Sequence, residues 1–128
     1  MVRILIALAL LAHGIGHVLF AGNSWGTWRT EPSRAGLFTK ILHAGQTAEG
    51  VMGSIWLLPM VGFMVVALGF YVQTGWWQQA ALISAGASTI LMLLWWGSLN
   101  ESSALFALLF NLAVIGVILL QPVLTAAQ

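Results

Sequence analysis

The chain has 128 residues, of which 60% are hydrophobic and 5% charged, and its mean hydropathy is +0.97. Soluble domains carry about 25% charged residues, so a water-soluble globule is excluded; a net charge of +1 also excludes a field that would gather nucleic acid or acidic substrates. The absence of cysteine removes disulfides, thiol redox chemistry, iron–sulfur clusters and cysteine-ligated zinc.

A bilayer core about 30 Å thick is crossed by about 20 apolar residues in helical form. The sequence offers four such stretches, at about 2–21, 48–72, 78–97 and 104–121. They are continuous apolar runs rather than the alternating segments of a membrane barrel, and backbone groups in lipid must be satisfied within the protein, so they read as helices. The expected fold is all-α: one transmembrane domain over 1–128, an integral membrane four-helix bundle.

In the first stretch, Arg3 followed by Ile4 to Leu11 imitates the start of a secretory signal. The apolar run continues through Val18, Leu19 and Phe20, however, and Leu19-Phe20-Ala21 is a poor cleavage site, so the segment is expected to remain as a helix. The connection that follows, 22–47, is the only long polar one, and holds Trp25, Trp28, Arg29, Glu31, Pro32, Arg34 and Lys40. Its Glu31-Pro32-Ser33 is suited to capping an interfacial amphipathic turn or an early start of the second helix. The other two links, Gln73-Thr74-Gly75 and the Ser98 to Ser102 region, are short and rich in turn formers. Short links make neighbours antiparallel, which gives an up-down-up-down bundle.

Arg29, Arg34 and Lys40 outnumber Arg3 and the terminal amine, so the positive-inside rule places the long connection in the cytoplasm and both termini outside. The expected location is a bacterial inner membrane. Trp25, Trp28, Trp95 and Trp96 fall near one interface and Trp76 and Trp77 near the other, while Trp56 lies deeper. Interfacial anchoring or bundle packing accounts for all of them more simply than an aromatic ligand cage.

Polar side chains within the spans carry the functional information, because in lipid they are costly and face the bundle interior. His13 and His17 lie on one helical face about 6 Å apart along the axis, a spacing at which two imidazoles can share a metal ion. Counting about 1.5 Å of rise per residue from the face that carries the long connection puts His13 about 12 Å deep, Ser88 about 13 Å, Asn111 about 10 Å and Ser54 about 9 Å. One residue from each helix thus forms a polar layer. His17 counts as shallower, at about 6 Å, and His43 and Glu49 fall at or outside the boundary. The small residues Ala12, Gly16, Gly50 and Gly53 beside the layer allow close helix approach or room for a ligand.

The candidate residues for ligand binding or proton handling are therefore His13, His17, His43, Glu49, Ser54, Ser88 and Asn111, with His13 and His17 as candidate metal ligands. Simpler roles stand beside these: Ser, Asn and His in membrane bundles hydrogen-bond across helices, and Glu49 would complement a helix dipole. Haem ligation would need ligands from opposite sides of the ring, which His17 and His43 could supply and His13 and His17 could not. If the second helix extends back through His43, that residue and Glu49 point about 120° apart and would hardly serve one metal. A quinone held by a histidine and Asn111 fits the same site without a metal.

The sequence Ala12-His13-Gly14-Ile15-Gly16-His17, the Trp76-Trp77 pair ahead of the third helix, and Asn111 in the fourth make the chain resemble a group of small bacterial four-span membrane proteins. These open with an apolar run into His-Gly-x-x-His. The resemblance implies the four-span fold and brings no activity, cofactor or partner with it. With no nucleophile elbow, phosphate loop or close carboxylate pair, hydrolytic and nucleophilic catalysis have no support. Two readings remain open. One is a His-lined site for a metal, haem or quinone in a membrane redox assembly; the other is an accessory or scaffold subunit, with partner subunits or a second copy, whose polar layer fixes helix packing. A small dimeric transporter is disfavoured, because Pro59 interrupts one helix and no matching break appears in another.

Overall fold

A computed structural model of the chain describes residues 1–26, 50–51, 53–96 and 101–126. It is an all-α bundle: α1 is Val2–Ser24, a 3-10 turn covers Ser54–Trp56, α2 is Leu57–Val72, α3 is Trp77–Leu94 and α4 is Glu101–Ala126. Four segments, Val2–Ser24, Ser54–Val72, Trp77–Leu94 and Ser102–Gln121, are long and apolar enough to cross a membrane. The chain is an integral membrane protein on that criterion. Most of the connection between the first two helices, with its basic residues, His43 and Glu49, lies outside the described residues.

The helices follow the expected stretches, with physical reasons for the shifts at their ends. Alpha-helical hydrogen bonding in the second stretch gives way at Ser54–Trp56 to a 3-10 turn. Pro59, which follows in the first turn of α2, has no N–H to offer the carbonyl four residues earlier, that of Ile55. The link from α2 to α3 closes with a left-handed residue, Gln73 at φ 60°, whose N–H donates to the Phe70 carbonyl while Thr74 N–H donates to that of Gly69. This pair of hydrogen bonds satisfies carbonyls that the helix end would otherwise strand. α4 begins earlier than expected and takes Glu101 and Ser102 into its first turn.

Close packing runs in sequence order, α1 on α2, α2 on α3 and α3 on α4. Trp25 reaches Ser54 at one end of the bundle, while Arg3 lies over the Tyr71 ring at the other and Gln78 bonds Gln121 there, so successive helices alternate in direction. Two apolar clusters fill the interior. Leu10, Phe63, Val66, Ala67, Ala81, Ala85 and Ile118 occupy the end near the termini. Phe20, Ala21, Trp56, Met92, Trp95 and Ala104 occupy the other. Trp95, at an expected interfacial position, is thus a core residue, whereas Trp25, Trp76 and Trp96 are exposed.

α1 and α2 approach closely at Gly14, where an added Cβ would stand 2.9 Å from Phe63 Cβ and 3.0 Å from the Met60 carbonyl oxygen. Gly16, two residues on, has nothing within 4 Å of the same construction. These neighbours therefore play opposite parts: Gly14 lets two backbones meet, and Gly16 leaves space. Gly14→Val is expected to destabilise the bundle by about 1–3 kcal/mol through overpacking, while Gly16→Ala should change stability by less than about 0.5 kcal/mol. Thermal unfolding of the two variants in one detergent checks the difference.

Candidate functional site

Between the two apolar clusters lies a polar layer built from α1, α3 and α4. His13 stands midway along α1 and Asn111 midway along the Ser102–Gln121 span, which puts the layer close to the bilayer centre. His17 is 1% exposed and Ser88 and Asn111 are fully buried. Water is absent at that depth, so these groups must satisfy one another.

They do so in a closed circuit. His17 Nδ1 lies 3.0 Å from the backbone carbonyl oxygen of His13. His17 Nε2 lies 2.7 Å from Ser88 Oγ. Asn111 Nδ2 donates to Ser88 Oγ at 2.8 Å, and Asn111 Oδ1 lies 2.9 Å from His13 Nε2, which returns the path to its start.

The direction of every bond follows from one acceptor. A carbonyl oxygen can only accept, so His17 Nδ1 carries the proton there. With one proton on the ring, Nε2 is then a lone pair and accepts from the Ser88 hydroxyl. Ser88 Oγ, having donated its hydrogen, accepts from the Asn111 amide. The Asn111 amide oxygen can only accept, so His13 carries its proton on Nε2. The two histidines are therefore opposite tautomers, and His13 Nδ1, outside the circuit, is an acceptor.

Rings enclose both imidazoles. His13 is stacked on Phe110, with centroids 4.2 Å apart and planes at 19°, and meets Phe63 edge to face at 4.6 Å. His17 lies parallel to Phe63 at 5.8 Å, edge-on to Phe20 at 5.9 Å, and beside Trp56 at 5.9 Å. Aromatic pairs of this kind contribute about 0.5–1.5 kcal/mol each beyond the area they bury.

α1 and α4 meet through these side chains rather than by close backbone packing, and a cleft of about 400 Å³ runs between them. Ala9, His13, Gly16, Phe20, Ala107 and Phe110 are among its lining residues. Leu19 and Phe106, also on the lining, are 61% and 74% exposed on the apolar outer surface, so the cleft opens sideways to lipid. Its volume falls in the range of small-molecule sites, about 300–1,000 Å³.

Of the sequence candidates, the structure brings together His13, His17, Ser88 and Asn111. Ser54 stands apart: it is exposed in the 3-10 turn and accepts a bond from Trp25 Nε1 at 3.3 Å, one end of the bundle away from the layer. α1 contributes two residues and α2 supplies wall instead of polar groups. His43 and Glu49 lie outside the described residues. Among the described residues no three His, Asp or Glu side chains converge, and His13 Nε2 and both His17 nitrogens are engaged in hydrogen bonds to separate partners. A metal or haem on these two histidines would have to break the circuit.

Phe63, Phe110 and Phe20 were not legible as site residues, although a local signal marks each of the last two. Phe20 is three residues beyond His17 on the same helical face, and Phe110 adjoins Asn111. Comparison of the chain with protein-family models, curated proteins and solved structures returns no match, so the chemistry of the site itself must carry its interpretation.

Two measurements check the circuit. In a 15N spectrum of histidine-labelled protein, with the His43 signals assigned by a His43→Gln variant, His17 should show a protonated Nδ1 and His13 an unprotonated one. A double-mutant cycle of Ser88→Ala and Asn111→Leu should give a coupling energy of about 0.5–2 kcal/mol, since each residue loses its role when the other is removed.

Proposed function

We propose that this membrane protein takes a lipid-soluble ring compound of the quinone class from the bilayer into the cleft between α1 and α4. The observation that carries the reading is the pairing of a lateral, aromatic-lined cleft with a few polar residues in its lining, His13 and His17 at the polar layer and Ser103 further along α4. Ligand sites are mostly apolar with a few placed polar groups. Here Phe20, Phe106 and Phe110 offer ring faces and His13 offers the polar group. A bound quinone suits a role in a membrane redox assembly, with the long connection on the cytoplasmic side of a bacterial inner membrane, as Arg29, Arg34 and Lys40 suggest.

Proton conduction along the circuit is a poorer reading. A proton passing through it would have to enter the Asn111 amide oxygen and leave from its NH2, and the return leg ends on a peptide carbonyl. One observation favours the accessory or scaffold role instead: the circuit is complete within the chain, as a packing device would be.

Gly16 separates the two, because it lines the cleft and has no neighbour that a small side chain would meet. Gly16→Leu should fill the cleft and weaken binding of 2-decyl-1,4-benzoquinone and its hydroquinone at least tenfold, with the thermal transition of the protein retained. Titration of intrinsic tryptophan fluorescence with both compounds reads the result. A wild-type chain that binds neither would leave the scaffold reading in place.

A further inference from the structure

We infer that the cleft selects ligands that present a hydroxyl donor to His13 Nδ1, and hence the hydroquinone over the quinone. This inference rests on the proposed cleft reading and deepens it. His13 reaches Asn111 through Nε2, where the amide oxygen can only accept. The hydrogen of the ring is thereby committed inside the bundle. Nδ1 is left with a lone pair on a ring that lines the cleft.

A hydroxyl group of a hydroquinone or phenol completes that lone pair. A quinone carbonyl, an acceptor itself, would face it lone pair to lone pair. Unmatched acceptors are penalised most where water is excluded, so a site of this kind discriminates more sharply by donor pattern than by shape. The tautomer cannot simply invert to suit a quinone. Moving the His13 proton to Nδ1 would set its Nε2 lone pair against Asn111 Oδ1; turning the amide would then point its oxygen at Ser88 Oγ, whose hydrogen is already given to His17. Inverting His13 means inverting the whole circuit, and the circuit ends on a carbonyl that cannot donate.

Ser103, the hydroxyl-bearing residue of the lining, lies about two turns along α4 from Phe110 and so at the far end of the cleft. Asn111 acts here as a positioning residue, since it sets the tautomer of His13 and does not line the cleft.

The test uses the full chain in detergent and four probes: 2-decylhydroquinone under argon, 2-decyl-1,4-benzoquinone, 4-decylphenol and 4-decylanisole. The hydroquinone should bind about tenfold tighter than the quinone, and the phenol about tenfold tighter than its methyl ether, the factor expected of one net hydrogen bond. The 15N resonance of His13 Nδ1 should shift on addition of 4-decylphenol and stay in place with 4-decylanisole. Asn111→Leu should bring both ratios towards one while binding persists. Equal affinities for phenol and ether, or a preference for the quinone, in the wild-type chain would overturn the donor selectivity and leave the cleft reading standing. Failure of all four probes to bind would remove the cleft reading, and the selectivity with it. Because the wild-type ratios and the resonance shift need no variant, an Asn111→Leu chain that does not fold leaves the test intact.

Discussion

At the centre of a bilayer a polar group has no water to fall back on, and the arrangement of this bundle depends on how four side chains meet that constraint. The demand is set by α1, which places two imidazoles on one face at midspan. Alone they cannot satisfy each other, because the spacing of one helical turn brings their rings edge to face, at 5.0 Å and 88°, and not nitrogen to nitrogen. The remaining bonds have to come from other helices. Ser88 on α3 and Asn111 on α4 supply them, and in doing so fix the axial position of both helices against α1. α2 takes a different part: Gly14 admits it closely, and Phe63 then lies against both imidazoles.

The same constraint explains why α1 and α4 are joined without being packed. A hydrogen bond from His13 to Asn111 and the stack of His13 on Phe110 span a gap that backbone contact does not close. Closing it would require backbone contact of the kind that Gly14 allows between α1 and α2. α4 instead presents Phe106 and Phe110 to the gap, and the space beside Gly16 is left between them. Interhelical hydrogen bonds in membranes average about 0.6 kcal/mol and reach about 2 kcal/mol, so the circuit confers register more than raw stability. Stability comes from the apolar clusters on either side of it.

Much of this was written in the sequence at the level of depth. Apolar length gave the four helices and their order, and the rise per residue placed His13, Ser88 and Asn111 in one layer. The same count set His17 too shallow, because it measured Cα positions. Helical side chains lean towards the N-terminus, and the ring of His17 reaches back over the turn below to the carbonyl of His13. Ser54 was drawn into the layer by treating its segment as one unbroken helix. The membrane-length span begins at Ser54 itself rather than near 48, which leaves that residue level with Trp25 at the bundle end. The aromatic enclosure was hidden for a different reason: in a chain where nearly every position is apolar, periodicity does not distinguish the ring that faces a histidine from the ring that faces lipid.

The circuit also gives the layer a property that no single residue has. Hydrogen-bond polarity runs from the peptide carbonyl of His13 through His17, Ser88 and Asn111 and back to the ring of the same residue. A backbone group thus decides which nitrogen of the His13 side chain carries the proton. Substituting any one of the other three would leave His13 in the cleft but release its tautomer. Holding the helices in register and fixing the tautomer of a ring that lines the cleft are in this protein consequences of one hydrogen-bond sequence. An apolar replacement of the layer would fill the same space but leave the cleft with no fixed acceptor.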